Sequence, residues 1–119
     1  MIKLVTLLKR RDGMSKADFI AYYEAYHRRI GEQVLSGYAT RYVRRYLQPA
    51  DGVDQAQDFD VSMEIWFPDQ ATHDACFAKI AEPATMDMIV ADEEKLFDRA
   101  RVRSFIMTEE CESEMPPLV

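Results

Sequence analysis

From Asp60 to Phe67 two faces alternate, Val61, Met63, Ile65 and Phe67 on one side, Asp60, Ser62, Glu64 and Trp66 on the other. A period of two is that of a strand, and Trp66 makes the second face more than a solvated one. Near the amino end Ile2 to Leu8 is apolar on both alternating faces and stops at the turn-prone Arg11-Asp12-Gly13, which predicts a strand covered on both sides. The period then changes. Ser15 offers an N-cap with Asp18 three residues on, and Phe19, Tyr23, Tyr26 and Ile30 recur at helical spacing, predicting a helix from about Lys16 to Val34. Beyond Gly37 the stretch Tyr38 to Leu47 alternates again, with Tyr38, Thr40, Tyr42, Arg44 and Tyr46 sharing one face of a second strand.

A polar loop around Asp51-Gly52 separates this strand from the alternating one. Asp69 then caps a helix whose apolar stripe is Cys76, Phe77 and Ile80; Pro83 interrupts it, and a second helical piece runs from about Ala84 to Phe97. Val102, Phe105, Ile106 and Met107 mark a last strand. The order βαββαβ in about a hundred residues predicts an α+β fold, the ferredoxin-like plait of a four-stranded antiparallel sheet with both helices on one face. Because the first and last strands are apolar on both sides, the other face also needs cover. A homodimer through the sheet face, forming a dimeric α+β barrel, supplies it. Residues 1–110 form the domain, and the acidic stretch 111–119, with its Pro116-Pro117, is expected to be a mobile tail.

With 119 residues there is room for one core, and no linker divides the chain. The balance of 21 acidic against 15 basic side chains argues against a nucleic-acid partner, whose phosphates demand a basic face. The first residues hold neither a small-residue cleavage site nor the roughly 20 apolar residues of a membrane span. A cytoplasmic protein without nucleic-acid or membrane partners is expected. Cys76 and Cys111 follow no CxxC spacing, and His73 with Cys76 makes two ligands where zinc needs three or four, so neither a disulfide nor a metal is expected. Gly-rich phosphate loops and GxSxG elbows are missing as well, and no cofactor is indicated.

Among side chains able to do chemistry, His27 falls about 80° from the centre of the first helix's stripe at 100° per residue, on the flank where a pocket between helix and sheet would open. A histidine there suits proton transfer at neutral pH; the plain alternative is a boundary histidine bonded to a carbonyl. Tyr22, Tyr23, Tyr26, Tyr38, Tyr42 and Tyr46 concentrate phenols in two neighbouring elements, the lining expected for an aromatic or polyketide-like ligand, although most would serve as core filler. Tyr42 and Tyr46 are the preferred ligand contacts, with Arg44 beside them placed to hold a substrate carboxylate. Asp60 and Glu64 turn carboxylates toward an apolar face, either as acids or bases or in cross-strand pairs with Arg41, Arg45, Arg101 or Arg103.

Met1 to Val5 through Lys9-Arg10-Arg11-Asp12-Gly13-Met14-Ser15, followed by Phe19, Tyr22-Tyr23 and His27, resembles the opening of the EthD-like family. Phe59-Asp60, Glu64-Ile65-Trp66-Phe67 and Ala91-Asp92-Glu93 with Leu96-Phe97-Asp98 are similar to its later motifs, so the resemblance reaches about Glu110. It implies a dimeric α+β barrel with a cofactor-free pocket in each subunit, and activities in polyketide tailoring or in the catabolism of xenobiotic and aromatic compounds. His27 matches the family's helix-one histidine; Asp60, Glu64, Trp66, Asp92 and Phe97 match later motif positions. Where the family usually has His-x-Pro-Leu this chain reads His27-Arg28-Arg29-Ile30, so its helix end is expected to differ.

The expected function is that of a cofactor-independent lyase or cyclase, dehydrating, cyclising or decarboxylating an aromatic or polyketide-like small molecule. His27 is the catalytic acid/base, with Tyr23, Tyr42, Arg44, Tyr46, Glu64, Trp66, Asp92 and Phe97 as candidate substrate contacts. If the Val61/Met63/Ile65/Phe67 face lies under the helices, Glu64 and Trp66 face a partner subunit, which ranks His27 alone above a His27-Glu64 dyad. The alternatives are a cofactor-free monooxygenase and a non-enzymatic accessory protein that binds a hydrophobic ligand.

Overall fold

The computed structural model describes residues 1–53 and 55–119. Its elements are β1 (Ile2–Leu8), α1 (Lys16–Tyr22), a π-helical turn (Tyr23–His27), α2 (Arg28–Leu35), β2 (Arg41–Tyr46), β3 (Val61–Phe67), α3 (Gln70–Ile80), α4 (Pro83–Glu93), a 3-10 turn (Arg99–Arg101) and β4 (Arg103–Met107). The four strands form one antiparallel sheet in the order β2-β3-β1-β4, and the helices cover one face. This is the α+β ferredoxin-like plait that the alternation and helix signals predict.

Local chemistry accounts for most boundaries. The Ser15 hydroxyl accepts the Asp18 N–H at 3.1 Å, and Asp69 Oδ1 accepts the Thr72 N–H at 2.7 Å to start α3. Pro83 opens α4 at a first-turn position, where its missing N–H costs nothing. The second strand begins later than predicted. Tyr38 and Ala39 both donate their N–H groups to the Leu35 carbonyl, 3.1 and 3.0 Å away, so the helix end takes the residues that alternation assigned to the strand. Gly37, at φ +86°, makes the reversal possible.

The first helix departs from the simple periodic reading in one place. Around the π turn the Arg28 N–H reaches back to the Tyr23 carbonyl, while the Arg28 Nε–H donates to the Glu24 carbonyl at 2.8 Å. Accommodating one extra residue shifts the helix by about 100° of phase. Tyr26, predicted to be on the buried stripe, is therefore 60% exposed and packs on Tyr22 outside, with ring centroids 5.0 Å apart. His27 takes its inward place at 8% exposure, below Phe19 and Tyr23. The Arg28-Arg29-Ile30 sequence carries the helix on to Leu35, with no proline to stop it.

Register assigns the two sheet faces. Leu4, Leu8, Val61, Ile65 and Phe67 are buried under the helices. On the outer face Val43, Glu64, Val5 and Phe105 form one row across the strands, and Arg41, Trp66, Lys3 and Met107 the next. Phe105 is 54% exposed there, whereas Glu64 is only 6% exposed. Lys3 Nζ lies 2.8 Å from Glu64 Oε1, in ion-pair contact but outside hydrogen-bond geometry. Arg45 Nε–H and the Ser62 hydroxyl donate to Oε2 at 3.0 and 3.1 Å. Trp66 is flanked by Lys3 and Arg41, 4.7 and 4.6 Å from its ring.

Burial pushes the Glu64 carboxyl up, but the ammonium of Lys3 against it, the Ser62 hydroxyl bond and the charge of Arg45 outweigh burial and hold it below its ordinary value of 4.5. A depressed folded value means that the stabilising contribution is present above the ordinary value and is lost as pH falls through the folded one. Thermal unfolding of wild type and Glu64→Gln across pH is expected to show a constant gap above about pH 5 that narrows as the pH drops below 4.5. A gap that persists unchanged at pH 3 contradicts this pairing.

Candidate active site

Between the helices and the covered face of the sheet lies a cavity of about 290 Å³. Leu4, Leu8, Met63 and Ile65 floor it, Ile30 and Val34 form one wall, and Phe77, Ile80, Met86 and Ile89 form the other. Polar groups are few: His27, Glu93, the Tyr23 and Tyr42 phenols, and the Thr6 and Ser104 hydroxyls, which pair with each other at 3.0 Å. An apolar hollow with a few convergent polar groups is the usual form of a small-molecule site.

His27 Nδ1–H donates to Asp92 Oδ2 at 2.7 Å, and the Tyr22 hydroxyl donates to Asp92 Oδ1 at 2.5 Å. Both carboxylate oxygens are thus engaged, and the Asp92 charge sits behind the imidazole. Burial and the bond to Asp92 push the Tyr22 phenol up to about 12, so it stays a donor. The imidazole is wedged edge-on between Tyr23 and Phe97, each 5.2 Å away and near perpendicular. Among the described residues nothing bonds Nε2. With Nδ1 carrying the proton toward Asp92, a neutral His27 presents an Nε2 lone pair to whatever fills the cavity.

The phenols of Tyr23 and Tyr42 are hydrogen-bonded at 3.0 Å, and burial raises both above the ordinary tyrosine value. Tyr42 fits because residue 31 is glycine; a Cβ there would meet the Tyr42 ring and hydroxyl at 2.8 Å. Further along β2, Arg44 grips Glu24 with two bonds of 2.9 and 2.8 Å, and the Tyr46 hydroxyl donates to the same carboxylate at 2.5 Å. The Arg44 bond holds the Glu24 carboxyl below its ordinary value. Glu24 and His27 belong to the π turn, which is therefore tied to β2 on one flank and to α4 on the other.

Of the residues expected at the site, His27, Tyr23, Tyr42 and Phe97 line the cavity, and Asp92 stands directly behind His27. Arg44 and Tyr46 do not line it, because Glu24 satisfies both. Glu64 and Trp66 lie on the opposite face of the sheet, as register requires. Asp60 accepts the Arg10 N–H at 2.8 Å and braces the end of β1. Pattern reading missed Glu93, Thr6 and Ser104 in the lining, Tyr22 as the second partner of Asp92, and Glu24 as the anchor of β2. Glu93 adjoins Asp92 in the quoted motif, the one available hint. His73 lies 3.0 Å from Asp74, and the described residues hold no group of three or more His, Cys, Asp or Glu placed for a metal. None of their helices is long and apolar enough to cross a membrane.

The family model for the EthD domain matches residues 11–100. The chain belongs to the EthD domain family. Solved structures similar to this EthD domain include an EthD family protein from Bacillus halodurans C-125, 14% identical, with a TM-score of 0.65 over 92% of this chain and 99% of that one. HapK from Hahella chejuensis is 11% identical, with a TM-score of 0.63 over 98% and 100% of the two chains. SnoaB from Streptomyces nogalater, described as a cofactor-independent oxygenase, is 13% identical, with a TM-score of 0.55 over 93% and 94%. At these identities the likeness concerns the fold. No curated protein matches the EthD domain described here in sequence.

Gly31→Ala sets two effects against each other in this EthD domain. Alanine favours a helix by about 1 kcal/mol over glycine, whereas forcing a methyl against a buried, hydrogen-bonded ring costs about 1–3 kcal/mol. Overpacking should win. Urea unfolding is expected to show a net loss on the order of 1 kcal/mol, and a stabilised variant would mean that Tyr42 moves freely.

Proposed function

We propose that this EthD domain is a cofactor-independent lyase or cyclase acting on an aromatic or polyketide-like molecule, with His27 as its general acid/base. The observation that carries the reading is the 2.7 Å bond from His27 Nδ1 to Asp92, which leaves Nε2 free on a residue that lines a largely apolar cavity. Asp92 holds the ring in one tautomer and stabilises the imidazolium that forms when Nε2 takes a proton. In a dehydration, Nε2 removes the proton beside a substrate carbonyl to leave an enolate. The imidazolium then returns a proton to the departing hydroxyl, so a C–O bond breaks, a C=C bond forms and water leaves. The Tyr23 and Tyr42 phenols, raised by burial above the ordinary tyrosine value, orient a substrate oxygen in this reading.

A second reading, a cofactor-free monooxygenase in which a substrate anion reacts with oxygen, draws support from the fold likeness to SnoaB. The same base would form that anion. A third, a binding protein that delivers a hydrophobic compound, uses the cavity without turnover.

The outer sheet face is proposed as the interface of a homodimer. Glu64 is already paired within the chain, so burying this face leaves no carboxylate without a counter-charge. Phe105 and Met107, exposed at the β4 side, are the apolar contacts a second copy would cover.

Two measurements test these assignments. Purified wild type, His27→Ala and Asp92→Asn are incubated with a panel of phenolic and poly-β-keto compounds, each as the acid and as a neutral ester or amide, with and without oxygen, and products are weighed by mass spectrometry. Loss of water without oxygen is expected, reduced about 10²–10⁴-fold in His27→Ala and at least about tenfold in Asp92→Asn. Full activity in His27→Ala removes it from the mechanism, oxygen-dependent mass gain favours the monooxygenase, and retention of a compound unchanged favours the binding protein. By light scattering after gel filtration, wild type is expected to run as a dimer and Phe105→Asp as a folded monomer; a monomeric wild type refutes the interface.

A further inference from the structure

The cavity has a definite electrostatic sign. Among the described residues its ionisable lining, apart from the phenols, is His27 and Glu93, with no lysine or arginine. Asp92 stands behind the imidazole and neutralises it whenever it is protonated. Glu93 closes α4, so its carboxylate adds to the partial negative charge of that helix's carboxyl end. Its ion-pair contact, Arg99 Nε, is 3.7 Å away, beyond hydrogen-bond reach, with a side chain 45% exposed to solvent, and the other cationic group acting on it, His27 when protonated, is already paired with Asp92. Arg44, the guanidinium best suited to a carboxylate, is consumed by Glu24.

A carboxylate entering this space would shed its hydration, find no cation and face Glu93. The volume, about 290 Å³, is roughly twice the 150 Å³ void that admits benzene, which suits a bicyclic ring system. We infer that the cavity selects uncharged bicyclic or similarly sized phenols, ketones and amides and rejects carboxylate-bearing analogues, with Glu93 as the specificity-determining residue. This rests on the reading of the cavity as the ligand site but not on any turnover there. It also narrows the substrate class: an acid would have to be used as a neutral ester or amide, or after an upstream reaction has removed its carboxyl group.

The test is calorimetric binding at pH 8 of 2-naphthamide and 2-naphthoate, probes of the same shape that differ in charge. Burial raises the Glu93 carboxyl above its ordinary value, so binding is measured on the alkaline side of neutrality. Wild type is expected to bind the amide at least about tenfold more tightly than the acid. Glu93→Gln should strengthen naphthoate binding about fivefold or more and so narrow the preference for the amide. The gain should survive in Glu93→Gln/Arg99→Gln, which separates loss of the Glu93 charge from release of Arg99. Equal binding of the two probes by wild type, an unchanged ratio in Glu93→Gln, a gain that vanishes in the double variant, or no binding of either probe by folded protein each overturns the inference. Absence of product in the mass-spectrometric assay refutes the enzymatic reading while leaving this ratio intact.

Discussion

One extra residue in the helical turn between Tyr23 and His27 sets the phase of the site. Without it, Tyr26 would lie under the helix and His27 on its flank. With it, His27 reaches both Asp92 and the cavity, and Tyr26 goes to the surface. A π turn is intrinsically less favourable than α-helix, so it persists only where the surroundings over-determine it. Here they do so from two sides. Asp92 on α4 takes the hydroxyl of Tyr22 and the Nδ1–H of His27, while Arg44 and Tyr46 on β2 hold Glu24. The imidazole is thus positioned by a helix, a strand and two aromatic rings rather than by a loop.

This arrangement also divides labour among residues that look alike in sequence. Tyr42, Arg44 and Tyr46 stand on one face of one strand, yet Tyr42 opens onto the cavity while the other two serve as anchors. The difference is made by their neighbours: Gly31 clears space for the Tyr42 ring, and Glu24 sits where Arg44 and Tyr46 can both reach it. The two acidic residues at the end of α4 are divided in the same way. Asp92 is engaged on both oxygens, whereas Glu93 faces the hollow with one distant counter-charge.

The strands, the caps and the division of the sheet into two faces were legible because they follow from period-two alternation and from short-range hydrogen bonds at Ser15, Asp69 and Pro83. His27 was legible as a candidate, and the assignment of Glu64 and Trp66 away from it followed from strand parity alone. Its inward turn was not, since a π insertion leaves no mark on the hydrophobic pattern and depends on ties to residues far along the chain. Alternation alone carries the strand back to Tyr38, because it does not reveal that the Leu35 carbonyl competes for the Tyr38 N–H. Asp92 came through family resemblance rather than periodicity, because Met86, Met88, Ile89 and Val90 trace no clear stripe on α4. The role of Glu24 was hidden for a related reason: its partners lie on a strand about twenty residues later, and an acid on a helix flank reads as solvated.

The chain has one tryptophan, and it sits on the sheet face turned away from the cavity, between the cations of Lys3 and Arg41. Its indole emission therefore reports on the environment of that outer surface and is optically remote from events around His27. Filling the cavity should leave the spectrum nearly silent, while a change in what covers the outer face should register strongly. The molecule thus carries a built-in fluorophore that separates assembly from ligand occupancy, two events that binding curves alone would fold together.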